Sequence, residues 1–139
     1  MNIDFAVLAD YASVAKDGKL SVAGMFDRLT PPKMPWQHPT MFIAVRIHAH
    51  PGEEGGHKIK VRLVDPDGKQ IVSLDGEATV LDMDPVEGAN VGLVLALNNL
   101  PFNGFGRYAF DIFLDNRYEH TVPLLVVAPQ TPDSPPSAK

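Results

Sequence analysis

The segment from Gly106 to Val127, GRYAFDIFLDNRYEHTVPLLVV, restricts the possible folds of this chain more than any other stretch. Tyr108, Phe110, Ile112 and Leu114 alternate with less apolar residues, Asp115-Asn116-Arg117 supplies turn chemistry, and Val122, Leu124 and Val126 resume the alternation. Successive side chains of a strand point to opposite faces, so a period of two on both sides of a turn predicts a half-buried β-hairpin. Related patterns recur upstream. Ile3–Tyr11 sets Ile3, Phe5, Val7 and Ala9 on one face, and Leu20–Phe26 groups Leu20, Val22 and Phe26. Met41–Ala49 aligns Ile43, Val45 and Ile47, and Lys58–Val64 alternates Ile59, Val61 and Leu63 with Lys60 and Arg62. Ile71–Leu74 and Ala78–Leu81 read as short strands around Asp75-Gly76. Val91–Leu97 is nearly continuous apolar, as expected of a strand covered on both faces.

Turn residues punctuate these pieces. Asp65-Pro66-Asp67-Gly68-Lys69 is the strongest turn: proline presets the first turn angle and glycine takes the left-handed position of a bulged hairpin. Lys16-Asp17-Gly18-Lys19 is a second. Thr30–Pro39 carries four prolines, which argues against a central strand and for an extended crossing between sheets. No window sustains a helical period. About eight to nine antiparallel strands therefore predict an all-β fold, an immunoglobulin-like β-sandwich, with a small β-barrel as the runner-up. Residues 1–127 form the expected domain, and residues 128–139, rich in proline and serine, the expected disordered tail.

A chain of 139 residues can bury a core without staples, and it has no cysteine. That excludes a disulfide framework, thiolate metal sites and a thiol nucleophile. The formal net charge is −5, and the densest cationic group is Lys58, Lys60 and Arg62 on one strand. Such a group suits a solvated, aggregation-resistant face better than phosphate binding, so no nucleic acid is expected. The N-terminus lacks a basic n-region, and the charge-free stretch from Gly88 to Gly106 holds Asn90, Asn98, Asn99, Pro101 and Asn103. Neither a signal peptide nor a membrane span is expected, and the predicted location is cytoplasmic.

His48 and His50 lie two apart on a strand and His57 lies beyond the following loop, so the three invite a zinc reading. If the two flanking strands pair as a hairpin, matching of their apolar faces puts His57 opposite to His48 and His50. Solvent-facing histidines are the better reading, with Glu53 or Glu54 as conceivable additional ligands. Gly104-Phe105-Gly106-Arg107-Tyr108-Ala109 matches a relaxed dinucleotide fingerprint, but a strand follows it where a helix is required. Tyr108 instead suits a corner role, with its ring in the core and its hydroxyl bonded to nearby backbone. Asp4, Asp10, Asp27, Asp82 and Asp84 are the carboxylates available for acid–base chemistry, and they read as surface or turn acids. Recognition would fall to aromatic groups: Trp36 and His38 in the proline segment, and Phe102 and Phe105 in the loop 99–106. Trp36 also suits a plug over an open end of the core.

IDFAVLADYA (Ile3–Ala12), GKLSVAGMFDRL (Gly18–Leu29), the stretch from Trp36 to Ile47, LVDPDG (Leu63–Gly68) and FNGFGRYAFDI (Phe102–Ile112) together resemble a small uncharacterised prokaryotic family, a domain of unknown function. The resemblance implies a single-domain β-sandwich and transfers no catalytic or ligand residue. The expectation is a non-catalytic domain without cofactor, acting through a protein partner or as a homo-oligomer. The alternatives are a small-ligand or carbohydrate-binding module, and a small metal- or carboxylate-dependent enzyme.

Overall fold

The computed structural model describes residues 1–130 as two β-sheets packed face to face. Nine strands follow in order: β1 (Asn2–Val14), β2 (Leu20–Phe26), β3 (Arg28–Leu29), β4 (Trp36–Ala49), β5 (Gly55–Val64), β6 (Gln70–Val80), β7 (Ala89–Phe102), β8 (Gly106–Leu114) and β9 (Arg117–Val126). One sheet has the order β2-β1-β4-β7 and the other β3-β9-β8-β5-β6. All ladders are antiparallel except the short pairing of β3 with β9. Neither sheet closes on itself, so the architecture is a sandwich and not a barrel. Residues 128–130 carry no regular structure; the rest of the expected tail lies outside the described residues.

The alternation read from the sequence builds the core. Met41, Ile43, Val45 and Ile47 of β4 share one buried cluster with Ile59, Val61 and Leu63 of β5 and the buried residues of β8 and β9. Each such side chain contributes roughly 1.5–3 kcal/mol by leaving water. Asp115 and Asn116, both at positive φ, make the two-residue turn between β8 and β9. Asp65 Oδ1 accepts from the amides of Asp67 and Lys69, and Gly68 takes φ 86°, which closes the turn between β5 and β6 as expected. At the start of β8 the Tyr108 hydroxyl donates to the Gly104 carbonyl at 2.7 Å while its ring is buried edge-on to Phe102, so the corner role holds.

Four local expectations need correction. Strands β4 and β5 are not a hairpin: they belong to opposite sheets, and the chain crosses between them at residues 50–54. Asp75-Gly76 does not divide two strands, because β6 runs unbroken through it. A Cβ at Gly76 would stand 3.0 Å from Ile59 and 3.2 Å from Leu95, so this glycine serves a close approach between sheets. Nor does the proline segment stay outside the strands. β4 is central and begins at Trp36, but at Pro39 only β7 runs alongside, since the pairing of β4 with β1 stops at Phe42. Pro39 stands opposite Asn99, a residue with φ 54°, and there both strands exchange faces without a change of register. Leu100 and Phe102 face the core on one side of that point, and Leu97 on the other.

The fourth correction concerns β1. A bulge between Ile3 and Phe5 turns Phe5, Val7 and Ala9 to the outer face, and Leu8 takes the core position. Farther along, the β1–β2 hairpin loses the Asp10–Gly24 pair, Gly24 sits at φ 71°, and a Cβ there would lie 2.6 Å from the Asp10 carboxylate. Beyond this bend the hairpin folds back over its own sheet. Its tip reaches β7: a Cβ on Gly92 would fall 2.8 Å from Leu20 and 3.3 Å from the Gly18 carbonyl oxygen. Ala12, Val14, Leu20 and Val22 form the face turned toward the sheet; Ser13, Ser21 and Ala23 share the other. This arm explains why β7 is apolar on both faces although it is an edge strand.

Candidate interaction surface

The two outer faces differ in chemistry. On the five-stranded sheet, Lys58 stands opposite Glu77, Lys60 opposite Asp75 and Arg62 opposite Asp111, with Arg62 also 5.3 Å above the Phe113 ring. Cross-strand carboxylates thus offset the cations of β5, which fits the solvated reading. On the four-stranded sheet the corresponding positions are Phe5, Val7, Ala9, Phe42, Ala44, Gly92, Val94 and Ala96, interrupted by Arg46. The folded-back arm covers part of this surface, and Ala9 and Ala44 have no solvent exposure.

What the arm leaves open is an apolar surface at the bend. Met25 is 66% exposed and Tyr11 54% exposed, and the Tyr11 ring stands edge-on to Phe42 at 5.5 Å. Because pairing of β2 with β1 begins only at Leu8, the neighbouring edge of β1 opens beside β9. A groove of about 320 Å³ lies there, bordered by Ala6, Val7, Met25, Phe26, Val122 and Pro123. A second crevice, about 480 Å³, runs beneath the arm tip and offers Lys19, Arg46 and Asn90 beside Phe5. Arg46 is held at 3.6 Å by Asp4, and both side chains remain well exposed.

His48, His50 and His57 lie at the end of the sandwich next to the arm tip, where His48 bonds the Asn90 that borders the crevice. His57 Nδ1 lies 2.7 Å from Asp115 Oδ2 and its Nε2 lies 2.7 Å from the Glu53 carbonyl oxygen. Two acceptors require two N–H donors, so the imidazolium is the form that satisfies both. The Asp115 hydrogen bond, followed by the Glu53 carbonyl, raises the His57 pKa above its ordinary 6.5. The same bond from His57, followed by the Lys58 amide, lowers that of Asp115. Glu53 receives the Met1 amino group at 2.8 Å and the His50 amide at 2.7 Å. The amino group and then the His50 amide lower its pKa.

In this arrangement both ring nitrogens of His57 are engaged by acceptors. His48 bonds Asn90 at 2.9 Å and stands edge-on to His50 at 4.9 Å. Among the described residues no three His, Asp or Glu side chains are grouped to hold a metal ion.

The remaining candidates scatter. Trp36 is half-buried against the core and His38 lies beside it, with indole Nε1 3.5 Å from His38 Nδ1; burial lowers the His38 pKa. The pair caps the end where β4 and β7 run on alone. Phe102 must be withdrawn as a recognition residue, since it is fully buried in the core opposite Trp36. Phe105 is 45% exposed on the loop between β7 and β8. Asp4 pairs with Arg46, Asp10 stands at the bend, the Asp27 carbonyl accepts from the Leu125 amide, and Asp84 accepts from the amides of Val86 and Glu87. Reading from the sequence missed Tyr11 and Met25. The one available signal was Gly24 between apolar residues of a strand, a mark of a bend or close approach.

Among the described residues no helix is long and apolar enough to cross a membrane. No curated protein is similar enough in sequence to match the chain. The model of one family of unknown function, DUF6941, does match, over residues 4–127 and hence both sheets, and the chain belongs to that family.

Proposed function

We propose that this domain is a non-catalytic interaction module that receives apolar side chains of a partner protein at the bend of the β1–β2 arm. One observation carries the reading: Met25, 66% exposed, borders a groove walled by Val7, Phe26, Val122 and Pro123, and Tyr11, 54% exposed, stands nearby against Phe42. Large apolar side chains standing in water beside a preformed groove are the usual mark of a contact surface. Photo-crosslinkers placed at Met25 and at Lys60 test it in the native cell. A dominant protein adduct at position 25, absent from position 60, is expected. Adducts of equal yield at both positions, or at neither, would sink the proposal.

A second reading has its own support. The crevice beneath the arm tip presents Arg46, Lys19 and Asn90 together with Asp17, which lies 3.7 Å from Lys19, a lining that suits a small polar ligand. Ligand that binds only the native state raises the melting temperature. A thermal-shift screen of anionic metabolites and sugars, repeated on Arg46→Gln, should show stabilisation that the variant loses. Silence across the screen removes this reading and leaves the first untouched.

A further inference from the structure

We propose that β7 pairs edge to edge with β7 of a second copy of this chain, antiparallel about a two-fold axis, and so joins two four-stranded sheets into one continuous sheet. This contact is separate from the arm surface and does not rest on it. An edge strand carries a row of unpaired amides and carbonyls, and proteins that stay apart blunt such edges with charge, proline, bulges or brevity.

Three lateral borders of this sandwich are blunted. The β2 side is bent at Gly24, and the exposed part of β1 beneath it carries Asp4 and the bulge after Ile3. β3 is two residues long, and the stretch of β9 beyond it holds Arg117, Glu119 and Pro123. β6 has Asp75 and Glu77 at its centre, so two β6 edges brought together would oppose like charges.

β7 differs. It ends its sheet with no ladder partner on the outer side among the described residues, and no charged residue occurs from Gly88 to Gly106. The arm tip sits above Gly92, Asn99 and Pro101 disturb the far end, and nothing blunts Leu93–Asn98 between them. That run is about 20 Å long at the usual rise per residue.

Two further observations favour a second copy as the occupant. An antiparallel pairing of β7 with itself places only apolar or amide side chains opposite one another, whatever its register. Leu93 and Leu95, with Ile71, Val72 and Leu74 of β6, are half-buried along the seam between the sheets, and a two-fold mate would cover them. The contact falls below the roughly 800 Å² per partner of tight complexes, so the expected dimer is concentration-dependent, with Kd in about the micromolar range.

Because the chain has no cysteine, a scan of single cysteines at Asn90, Val94, Ala96 and Asn98 reads the contact directly. Around a two-fold axis only the residue on the axis meets its own copy. A residue two positions away lies about 14 Å from its copy, beyond the reach of a disulfide. One sharp maximum of covalent dimer is expected, at a single position or at one adjacent pair of positions combined. Ala96→Lys should weaken the dimer about three- to tenfold with the melting temperature unchanged, and an equimolar mixture with Ala96→Glu should restore it. Sedimentation as a monomer at every accessible concentration overturns the proposal. So does a cross-link maximum at Tyr11→Cys or Met25→Cys, which would place the two-fold at the arm instead.

Discussion

The five-stranded sheet meets solvent on its own terms, whereas the four-stranded sheet needs its first hairpin as a lid. Lys58, Lys60 and Arg62 stand opposite carboxylates, and a rung of opposite charges is content in water. Phe42, Ala44, Val94 and Gly92 have no such partners, and bending β1 and β2 at Asp10 and Gly24 lays the arm over part of this row, against Gly92, while Ala44 is fully buried. The same fold thus solves the outer-face problem twice. One solution is local and electrostatic; the other is a third layer that leaves Tyr11 and Met25 exposed at its bend.

Substitution on the two faces can break this contrast. The largest effect is expected at Ala44, which has no solvent contact although it lies on an outer face. Ala44→Glu would leave a carboxylate under the arm and should cost about 3 kcal/mol or more, whereas Lys60→Ala should stay within about 0.5 kcal/mol. Urea unfolding measures both, and equal losses would mean that the arm covers nothing. Next comes Gly92→Ala, whose Cβ overlaps Leu20. A loss of about 1–3 kcal/mol is expected, with faster amide exchange in residues 12–22.

Gly56 is the control on the polar side: its Cβ would make only ordinary contact with Glu77, at 3.7 Å. Gly56→Ala should stabilise by about 0.5 kcal/mol, because the unfolded chain loses freedom and the native state meets no clash.

The smallest expected effect is one of pH, confined to the end of the five-stranded sheet. The His57 pKa is raised on folding, so its contribution is complete below its ordinary 6.5 and fades as pH rises through the higher native value. The Asp115 pKa is lowered, so its share of the same bond is present above its ordinary 3.8 and fades as pH falls through the native value. One interaction underlies both shifts and is counted once. Thermal unfolding followed across neutral pH should show a decline on the alkaline side that His57→Gln abolishes. An unchanged slope in that variant would assign the decline to another group.

Much of the fold was legible in the residues. Period-two alternation over Tyr108–Leu114, Ile59–Leu63 and Ile43–Ile47 identifies inward positions because one face of each strand must leave water. The turns at Asp65–Lys69 and Asp115-Asn116 were legible because few residues accept positive φ or bond their own backbone. Val91–Leu97 reads as a strand covered on both faces, but the arm reaches it only at Gly92, Leu93 and Leu95 stay half-buried and Ala96 is exposed at the edge of the sheet.

Alternation states that a side chain faces inward without stating toward what, and here that gap decided the candidate site. Phe5, Val7, Leu20 and Val22 alternate as well as any core strand, yet a bulge after Ile3 and a bend at Gly24 turn them to the outside of the sheet. Trp36 and Phe102 read as loop aromatics in the sequence, but β4 and β7 run on together and exchange faces at Pro39 and Asn99. The identity of the inward residues follows from the solvent preferences of neighbouring side chains, which the sequence carries by itself. Which sheet each strand joins, and which apolar row remains uncovered, depends on contacts between residues far apart in the chain, and those exist only once the tertiary structure has formed.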